Sequence, residues 1–209
     1  MTTSRGKGPT AGSSVRCFVA LEAGRDVAPA LRSACGRLPF SGIRWVASHQ
    51  YHFTLKFLGD TPGERLEAAR EATGRAALGA PPFDLSLEGL GAFPEAGPPR
   101  VVWAGCGAGR EALAALARAV EQAFGEAGFP PEPRIFAPHL TVGRVKDPRS
   151  VPGRAFREAL AREGATVLGS APARELVLFR SDLSPAGPSY VPLAVLPLGG
   201  RPAMVTPGS

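Results

Sequence analysis

Two copies of a His-x-Thr motif carry the residues in this chain that are best suited to chemistry. The first is HFTL at residues 52–55, and the second is HLTV at residues 139–142. Each lies in a run of alternating apolar and polar residues, which is typical of a β-strand. Because successive side chains of a strand point to opposite faces, the histidine and threonine of each motif should project together. The chain has only 3 histidines, and two of them stand in these motifs, which argues against coincidence.

A cleft holding both motifs would contain two imidazoles and two hydroxyls. Imidazoles have an ordinary pKa near 6.5, so His52 and His139 could serve as general acid and general base. The hydroxyls of Thr54 and Thr141 could donate to the non-bridging oxygens of a phosphate. This set suits phosphodiester cleavage and needs neither metal nor cofactor. A three-histidine metal site with His49 is the competing interpretation, but we expect that residue in a turn, with no carboxylate suitably placed.

Composition narrows the class of protein and of partner. The chain has 209 residues, a net charge of +6 and a pI of about 9.9, a balance that favours anionic partners such as nucleic acid. The 3 cysteines lack C-x-x-C spacing, so buried, reduced thiols are expected rather than a zinc site or disulfides. No apolar run reaches the ~18 residues of a membrane span. The N-terminus lacks the apolar segment of a secretory signal, and a cytoplasmic protein is predicted.

The local patterns predict a disordered leader at 1–14, a single domain at 15–198 and a flexible tail at 199–209. Within the domain they predict helices at Val27–Leu38, Pro62–Leu78, Glu111–Gly125 and residues 150–163, the second capped by Thr61. They predict strands near Arg16–Leu21, Ile43–Val46, Tyr51–Leu58, Phe83–Leu90, Val101–Ala104, Pro138–Val145, Arg174–Ser181 and Tyr190–Leu198.

The order of these elements indicates an α+β fold. Each motif strand is followed by a charged loop and a proline-marked helix, so the two halves of the chain look alike. We therefore expect two pseudo-symmetric lobes, each a small, mostly antiparallel sheet flanked by helices. The two motifs would then line a central cleft. A monomer is expected of a chain with such internal symmetry.

Several stretches around the motifs resemble the two-histidine phosphoesterase superfamily, and within it the bacterial RNA 2′,3′-cyclic phosphodiesterases, once called 2′-5′ RNA ligases. The resemblance covers about residues 16–198. Besides the motifs, it is carried by RWVASHQYHFTLKFLGD, GLGAFPEAGPPRVVWAGC, FAPHLTVGRVK and LVLFRSDLSPAGPSYVPLAVLPL.

The resemblance implies hydrolysis of RNA 2′,3′-cyclic phosphate ends, or of small cyclic nucleotides, to 2′-phosphates. It makes His52 the proton donor to the leaving 3′ oxygen and His139 the proton acceptor for water. It places Thr54 and Thr141 on the phosphate. Arg144 would add a cation there.

Phe57 stands where Arg144 stands in the second copy, five residues after the histidine, and is a candidate platform for base stacking. The alternation of a regular strand opposes both roles. Residues five positions apart in an unbroken strand point to opposite faces, so Phe57 and Arg144 would face away from the histidines. Either the strands twist or bulge at this point, or Phe57 and Arg144 are structural.

The remaining aromatic and basic residues near the motifs are assigned no step in catalysis. Trp45 and Trp103 are read as core residues, and Tyr190 could reach the cleft. Lys56 and Lys146 are expected only to add to the basic field around it.

Two alternative functions stay open. Ligation of a cyclic phosphate to a 5′-hydroxyl through a 2′-5′ linkage would use the same groups. A non-catalytic RNA-binding protein would use only the basic cleft.

Overall fold

A computed structural model of the chain describes residues 14–151, 153–185 and 187–200. Most of the predicted leader and tail, residues 1–13 and 201–209, lies outside the described residues. Ser14 already belongs to the first strand, so regular structure begins inside the predicted leader.

All four predicted helices and all eight predicted strands are present, and one further strand joins them. The strands are β1 Ser14–Glu22, β2 Ile43–Trp45, β3 His52–Pro62, β4 Phe83–Phe93, β5 Val101–Cys106, β6 His139–Val145, β7 Val167–Ala173, β8 Glu175–Ser184 and β9 Gly187–Pro197. The helices are α1 Ala28–Gly36, α2 Leu66–Leu78, α3 Arg110–Glu126 and α4 Gly153–Arg162. Within the described ranges, no helix is both long and apolar enough to cross a membrane.

The strands form two antiparallel sheets, one for each lobe. The four-stranded sheet has the order β3-β1-β8-β9, and the five-stranded sheet has the order β2-β6-β5-β4-β7. The predicted two-lobed α+β fold is therefore confirmed. The lobes do not coincide with the halves of the chain, because β2 joins the five-stranded sheet while β8 and β9 return to the four-stranded one.

A continuous hydrophobic core lies on one face of each sheet. Helices α2 and α3 pack against the four-stranded sheet, and α1 and α4 pack against the five-stranded sheet. Alternate residues of the strands, such as Leu21, Phe53 and Leu140, point into this core. The other face of the four-stranded sheet carries a smaller cluster of Phe18, Ala20, Val177 and Phe179, with Tyr190 packed against it. Each strand thus leaves every second side chain for the face that bears the motifs.

Strand β7 was missed because its sequence lacks the usual signals. The segment VLGSAPA contains Gly169 and Pro172, both unfavourable in strands. It lies at the edge of the five-stranded sheet, where its described partner is β4 alone. An edge strand tolerates a residue with no N–H, so pairing rather than propensity defines this element.

The predicted cap of the second helix at Thr61 is wrong. Strand β3 continues to Pro62, which pairs with Ser14 of β1, and Thr61 donates to the Gly59 carbonyl at 3.3 Å. A single 3₁₀ turn at Gly63–Arg65 follows, and α2 begins only at Leu66. Long-range strand pairing overrides the local capping signal here.

Lys56 and Trp45 also differ from their sequence interpretations. The Lys56 side chain is only 1% exposed, and its Nζ donates to Glu121 Oε2 at 2.7 Å and to the Pro130 carbonyl at 3.0 Å. It therefore ties β3 to α3 from the core side, where its charge is paired with a carboxylate. Trp45 lies on the edge strand β2 and is 37% exposed, so it is not a core residue.

All three cysteines are free and buried, as predicted. Burial is the main cause that raises the pKa of the Cys35 thiol to about 12. The pKa values of the Cys17 and Cys106 thiols are also raised, again chiefly by burial. These groups are therefore packing residues rather than nucleophiles.

Candidate active site

A β-bulge follows the first motif. Thr54 pairs with Ala20 of β1, but the next pair along the strands joins Lys56 to Val19. Leu55 is therefore an extra residue in β3. A bulge of this kind shifts the alternation of side chains by one position.

The second motif carries a bulge at the equivalent position. Thr141 pairs with Trp103 of β5, and the next pair joins Gly143 to Val102. Val142 is the extra residue in β6. Each motif is thus followed, one residue after its threonine, by the same local irregularity.

These bulges bring the residues five positions after each histidine onto the motif face. Phe57 pairs with Phe18, whose ring lies 5.0 Å from that of His52. The charge of Arg144 lowers the pKa of His52, which places its guanidinium within electrostatic range of that ring. The bulge explanation, one of the two left open by the sequence, is therefore correct. Phe57 is 57% exposed on this face and is not a core residue.

The two imidazoles are held in the same way. His52 Nδ1 lies 2.7 Å from the carbonyl oxygen of Gln50, and His139 Nδ1 lies 2.7 Å from that of Ala137. A carbonyl only accepts, so Nδ1 carries the hydrogen and donates it in both rings. Nε2 is then the nitrogen left to give or take a proton in each motif.

Aromatic rings form the walls around both histidines. The His52 ring lies beside Phe18 and meets Tyr190 edge to face at 5.1 Å and 88°. The His139 ring meets Phe93 edge to face at 5.0 Å and 90°. Tyr190 therefore does reach the site.

Phe18 was missed as a site residue because it lies in an apolar run that predicts only core. Phe93 was missed because it lies beyond the predicted end of its strand at Leu90, in a Gly/Pro-rich stretch that predicts a loop, whereas β4 continues to Phe93. Trp103 extends the aromatic wall that Phe93 forms beside His139. Its ring lies 5.4 Å from that of Phe93, and its side chain is only half-buried. It packs on the motif face of β5 rather than fully inside the core.

The environment of His52 disfavours its charged form. Burial is the largest cause that lowers the pKa of His52 to about 4, and the charges of Arg144 and His139 add to the effect. The hydrogen bond to Gln50 opposes this shift without cancelling it. Since the ordinary value is near 6.5, His52 is neutral at pH 7 in the unliganded protein.

His139, Arg144 and Tyr190 all belong to the electrostatic surroundings of the first motif. His139 and Arg144 act electrostatically on His52, and Arg144 also acts on Tyr190, whose pKa is raised chiefly by burial. The two motif histidines therefore lie within electrostatic range of each other, although they come from strands of different sheets. Strands β3 and β6 contact each other at this junction.

The threonines of the two motifs remain available to a ligand. Thr54 and Thr141 are both half-buried on the motif strands. Within the described parts of the chain, neither hydroxyl makes a hydrogen bond. Both can therefore donate to an anion held between the histidines.

The described residues do not support a metal site built from the three histidines. His49 is exposed in a 3₁₀ turn at Ser48–Gln50. Among the described residues, no group of three or more His, Cys, Asp or Glu side chains is placed to hold a metal ion.

A cavity of about 260 Å³ opens beside His52 on the four-stranded sheet. Tyr190 and Phe179 supply an aromatic wall, and Glu22 and Glu175 supply carboxylates. Gln50 and His49 line it next to the first motif.

Comparison with known proteins agrees with this architecture. The family model described as the 2′-5′ RNA ligase superfamily matches residues 26–184, and the chain belongs to this superfamily.

Several curated relatives that match this chain are named RNA 2′,3′-cyclic phosphodiesterase. The protein from Methanothermobacter thermautotrophicus is 38% identical over 156 residues, covering 75% of this chain and 83% of the relative. The protein from Archaeoglobus fulgidus is 36% identical over 185 residues, covering 87% of this chain and 99% of the relative.

A solved structure of a protein from Thermus thermophilus has a similar fold. It superimposes with a TM-score of 0.74 at 34% identity, covering 89% of this chain and 99% of the other.

Proposed function

We propose that the protein hydrolyses RNA 2′,3′-cyclic phosphate ends to 2′-phosphate ends, without a metal ion. The observation that carries the proposal is a pair of equivalently held imidazoles within electrostatic range of each other, each donating from Nδ1 and presenting Nε2. The shared name of the curated relatives supports the substrate class. We take residues 15–198 as the unit that carries the activity, and a monomer as the active form, since one chain supplies both motifs.

In the proposed reaction, water attacks phosphorus and the bond to the 3′ oxygen breaks. His139 Nε2 accepts a proton from the attacking water, and His52 Nε2 gives one to the 3′ oxygen as it leaves. The ribose keeps the phosphate on its 2′ oxygen and regains a 3′-hydroxyl. Thr54, Thr141 and Arg144 hold the non-bridging oxygens, where negative charge is greatest.

The low pKa of His52 places a condition on its role as proton donor. A donor must be protonated in the complex, whereas His52 is neutral at pH 7 in the unliganded protein. A bound phosphate carries negative charge between Arg144 and the two imidazoles, and a nearby opposite charge favours an imidazolium. We therefore propose that the substrate itself raises the pKa of His52 and charges the donor.

A turnover assay on a short RNA with a 2′,3′-cyclic end, run in excess EDTA, tests the function. We expect full activity in the chelator and a product phosphate on the 2′ oxygen. A 3′-phosphate product would contradict the leaving group. Loss of activity in EDTA that zinc restores would contradict metal independence.

The same assay separates ligation from hydrolysis. With a 5′-hydroxyl in place of water as the nucleophile, the groups that cleave the 3′ ester could also join a cyclic phosphate, through its 2′ oxygen, to that hydroxyl. Matched RNA halves, one with a cyclic end and one with a 5′-hydroxyl, should yield mainly the 2′-phosphate. A dominant 2′-5′-linked product would favour ligation.

We also propose that Phe57 stacks on a base of the substrate. The ring is exposed on the motif face, and base stacking is worth about 1–3 kcal/mol per base when the aromatic residue is replaced by alanine. Phe57→Ala should therefore raise KM for a cyclic-ended oligonucleotide about tenfold, with kcat little changed.

Two variants control for this effect. Phe57→Trp should keep KM within about twofold of the parent, since stacking survives. Leu183→Ala removes another exposed apolar side chain, 70% exposed in β8, and should leave KM unchanged. An unchanged KM in Phe57→Ala would contradict the stacking role.

A further inference from the structure

Two arginines stand directly opposite each other on adjacent strands. Arg44 of β2 pairs in register with Arg144 of β6, so their side chains leave the same face of the five-stranded sheet. Like charges directly opposite each other destabilise an antiparallel pair. Among the ion pairs of the described residues, none includes Arg44 or Arg144. A bound anion would relieve their mutual repulsion.

The Arg44 guanidinium lies close to the other lobe. A Cβ built on Gly187, at the turn between β8 and β9, would lie 3.6 Å from its Nη1, an ordinary van der Waals separation. The same turn is tied to the first motif, because Gln50 Nε2 donates to the Pro188 carbonyl at 2.5 Å. Arg44 is thus an exposed cation where the lobes meet, one strand outward from Arg144.

In the proposed complex, the reacting phosphate is held without Arg44, which lies one strand outward from Arg144. A cyclic phosphodiester has two non-bridging oxygens, and Thr54, Thr141 and Arg144 already supply donors for them. An RNA end carries a second anion nearby, the phosphodiester on the 5′ side of its terminal nucleotide. A mononucleoside cyclic phosphate has no such group.

The distribution of charge also favours an RNA backbone that leaves the site on the side of Arg44. The cavity on the four-stranded sheet is lined by Glu22 and Glu175, which are both exposed. Carboxylates there repel a phosphodiester backbone. The cation of Arg44, on the other side of the site, attracts such a backbone.

We infer that Arg44 binds the phosphodiester on the 5′ side of the terminal nucleotide, so that the enzyme prefers RNA ends to mononucleoside 2′,3′-cyclic phosphates. This inference rests on the proposed function and names its substrate class.

Two substrates test the inference, a dinucleotide with a 2′,3′-cyclic end and a mononucleoside 2′,3′-cyclic phosphate. Arg44→Ala should lower kcat/KM for the dinucleotide about tenfold, as expected for loss of one charge-assisted contact. It should leave kcat/KM for the mononucleoside within about twofold. Arg154→Ala removes a cation that is paired with Glu158 on α4 and should change neither.

A substrate whose internal linkage is neutral identifies the contact. A methylphosphonate at the internal linkage should cost the parent protein about the same tenfold and should cost Arg44→Ala nothing further. Equal losses on the two substrates would overturn the inference, since Arg44 would then act on the cyclic phosphate or on the fold. Loss on neither substrate, or additive losses with the methylphosphonate, would overturn it as well.

A binding measurement separates this inference from the proposed function. If the parent protein turned over neither substrate, the proposed function would fail. Calorimetry with a 2′-phosphate-ended dinucleotide and a mononucleoside 2′-phosphate would still test Arg44. The dinucleotide should bind more tightly to the parent, and that advantage should vanish in Arg44→Ala. An advantage that persists would overturn the inference.

Discussion

Replacing His52 or His139 with alanine should lower kcat for a 2′,3′-cyclic-ended RNA by about 10³-fold. Each substitution removes one of the two proposed proton-transfer groups, and positioned acid–base groups typically contribute about 10²–10⁴-fold. The double variant should be little slower than either single variant, because the two histidines act on one reaction step. Steady-state kinetics with circular dichroism of each variant makes the measurement.

His49→Ala is the matched control for these substitutions. It removes the third histidine, which is exposed and lies three residues before His52. We expect kcat within about threefold of the parent, since we assign this ring no proton transfer. A loss as large as that of His52→Ala would favour the three-histidine metal site. Full activity of either motif variant would contradict the paired-histidine mechanism.

Arg144→Ala should separate binding of the phosphate from the titration of His52. The Arg144 cation is proposed to hold the phosphate, so its loss should lower kcat/KM about 10²-fold. The same cation lowers the pKa of His52, so that pKa should rise in the unliganded variant. Since burial is the largest cause of the shift, the pKa should stay below its ordinary value of about 6.5.

A ¹H-¹⁵N NMR titration of the imidazoles measures the expected change in the pKa of His52 directly. In the parent protein, His52 should stay neutral from pH 7 down to about its pKa of 4. Adding a nucleoside 2′-phosphate should move the titration to higher pH if the bound phosphate charges the donor. The control is Arg154→Ala on α4, which should change neither kcat/KM nor the titration. A His52 pKa unmoved by both Arg144→Ala and ligand would contradict the electrostatic account.

The sequence reveals the motif residues because the strand period of two is a strong local signal. The period could not show that His52 and His139 meet, since they belong to strands of different sheets. The bulges at Leu55 and Val142 are equally hidden, because a one-residue irregularity depends on the register of the partner strand. The argument from strand alternation against Phe57 failed for that reason.

Tertiary contacts account for the remaining differences. Lys56 looks like a surface cation in sequence, but the carboxylate of Glu121 meets it inside the fold. Thr61 carries a strong capping signal that is overridden by the pairing of β3 with β1. Phe18 is indistinguishable from core in sequence because apolar residues on the motif face have no separate pattern, and Phe93 lies in a Gly/Pro-rich stretch just before a proline, which predicts a loop rather than the end of β4.

A substrate whose leaving group needs no proton distinguishes the general acid from the general base. In a 2′,3′-cyclic phosphorothiolate with sulfur in place of the bridging 3′ oxygen, the leaving thiolate needs no proton. The rate of His52→Ala with this substrate should return to within about tenfold of the parent, because the general acid it lacks is no longer required. His139→Ala should remain slow, because water still needs its base. Rescue of His139→Ala but not of His52→Ala, or of neither variant, would contradict the account.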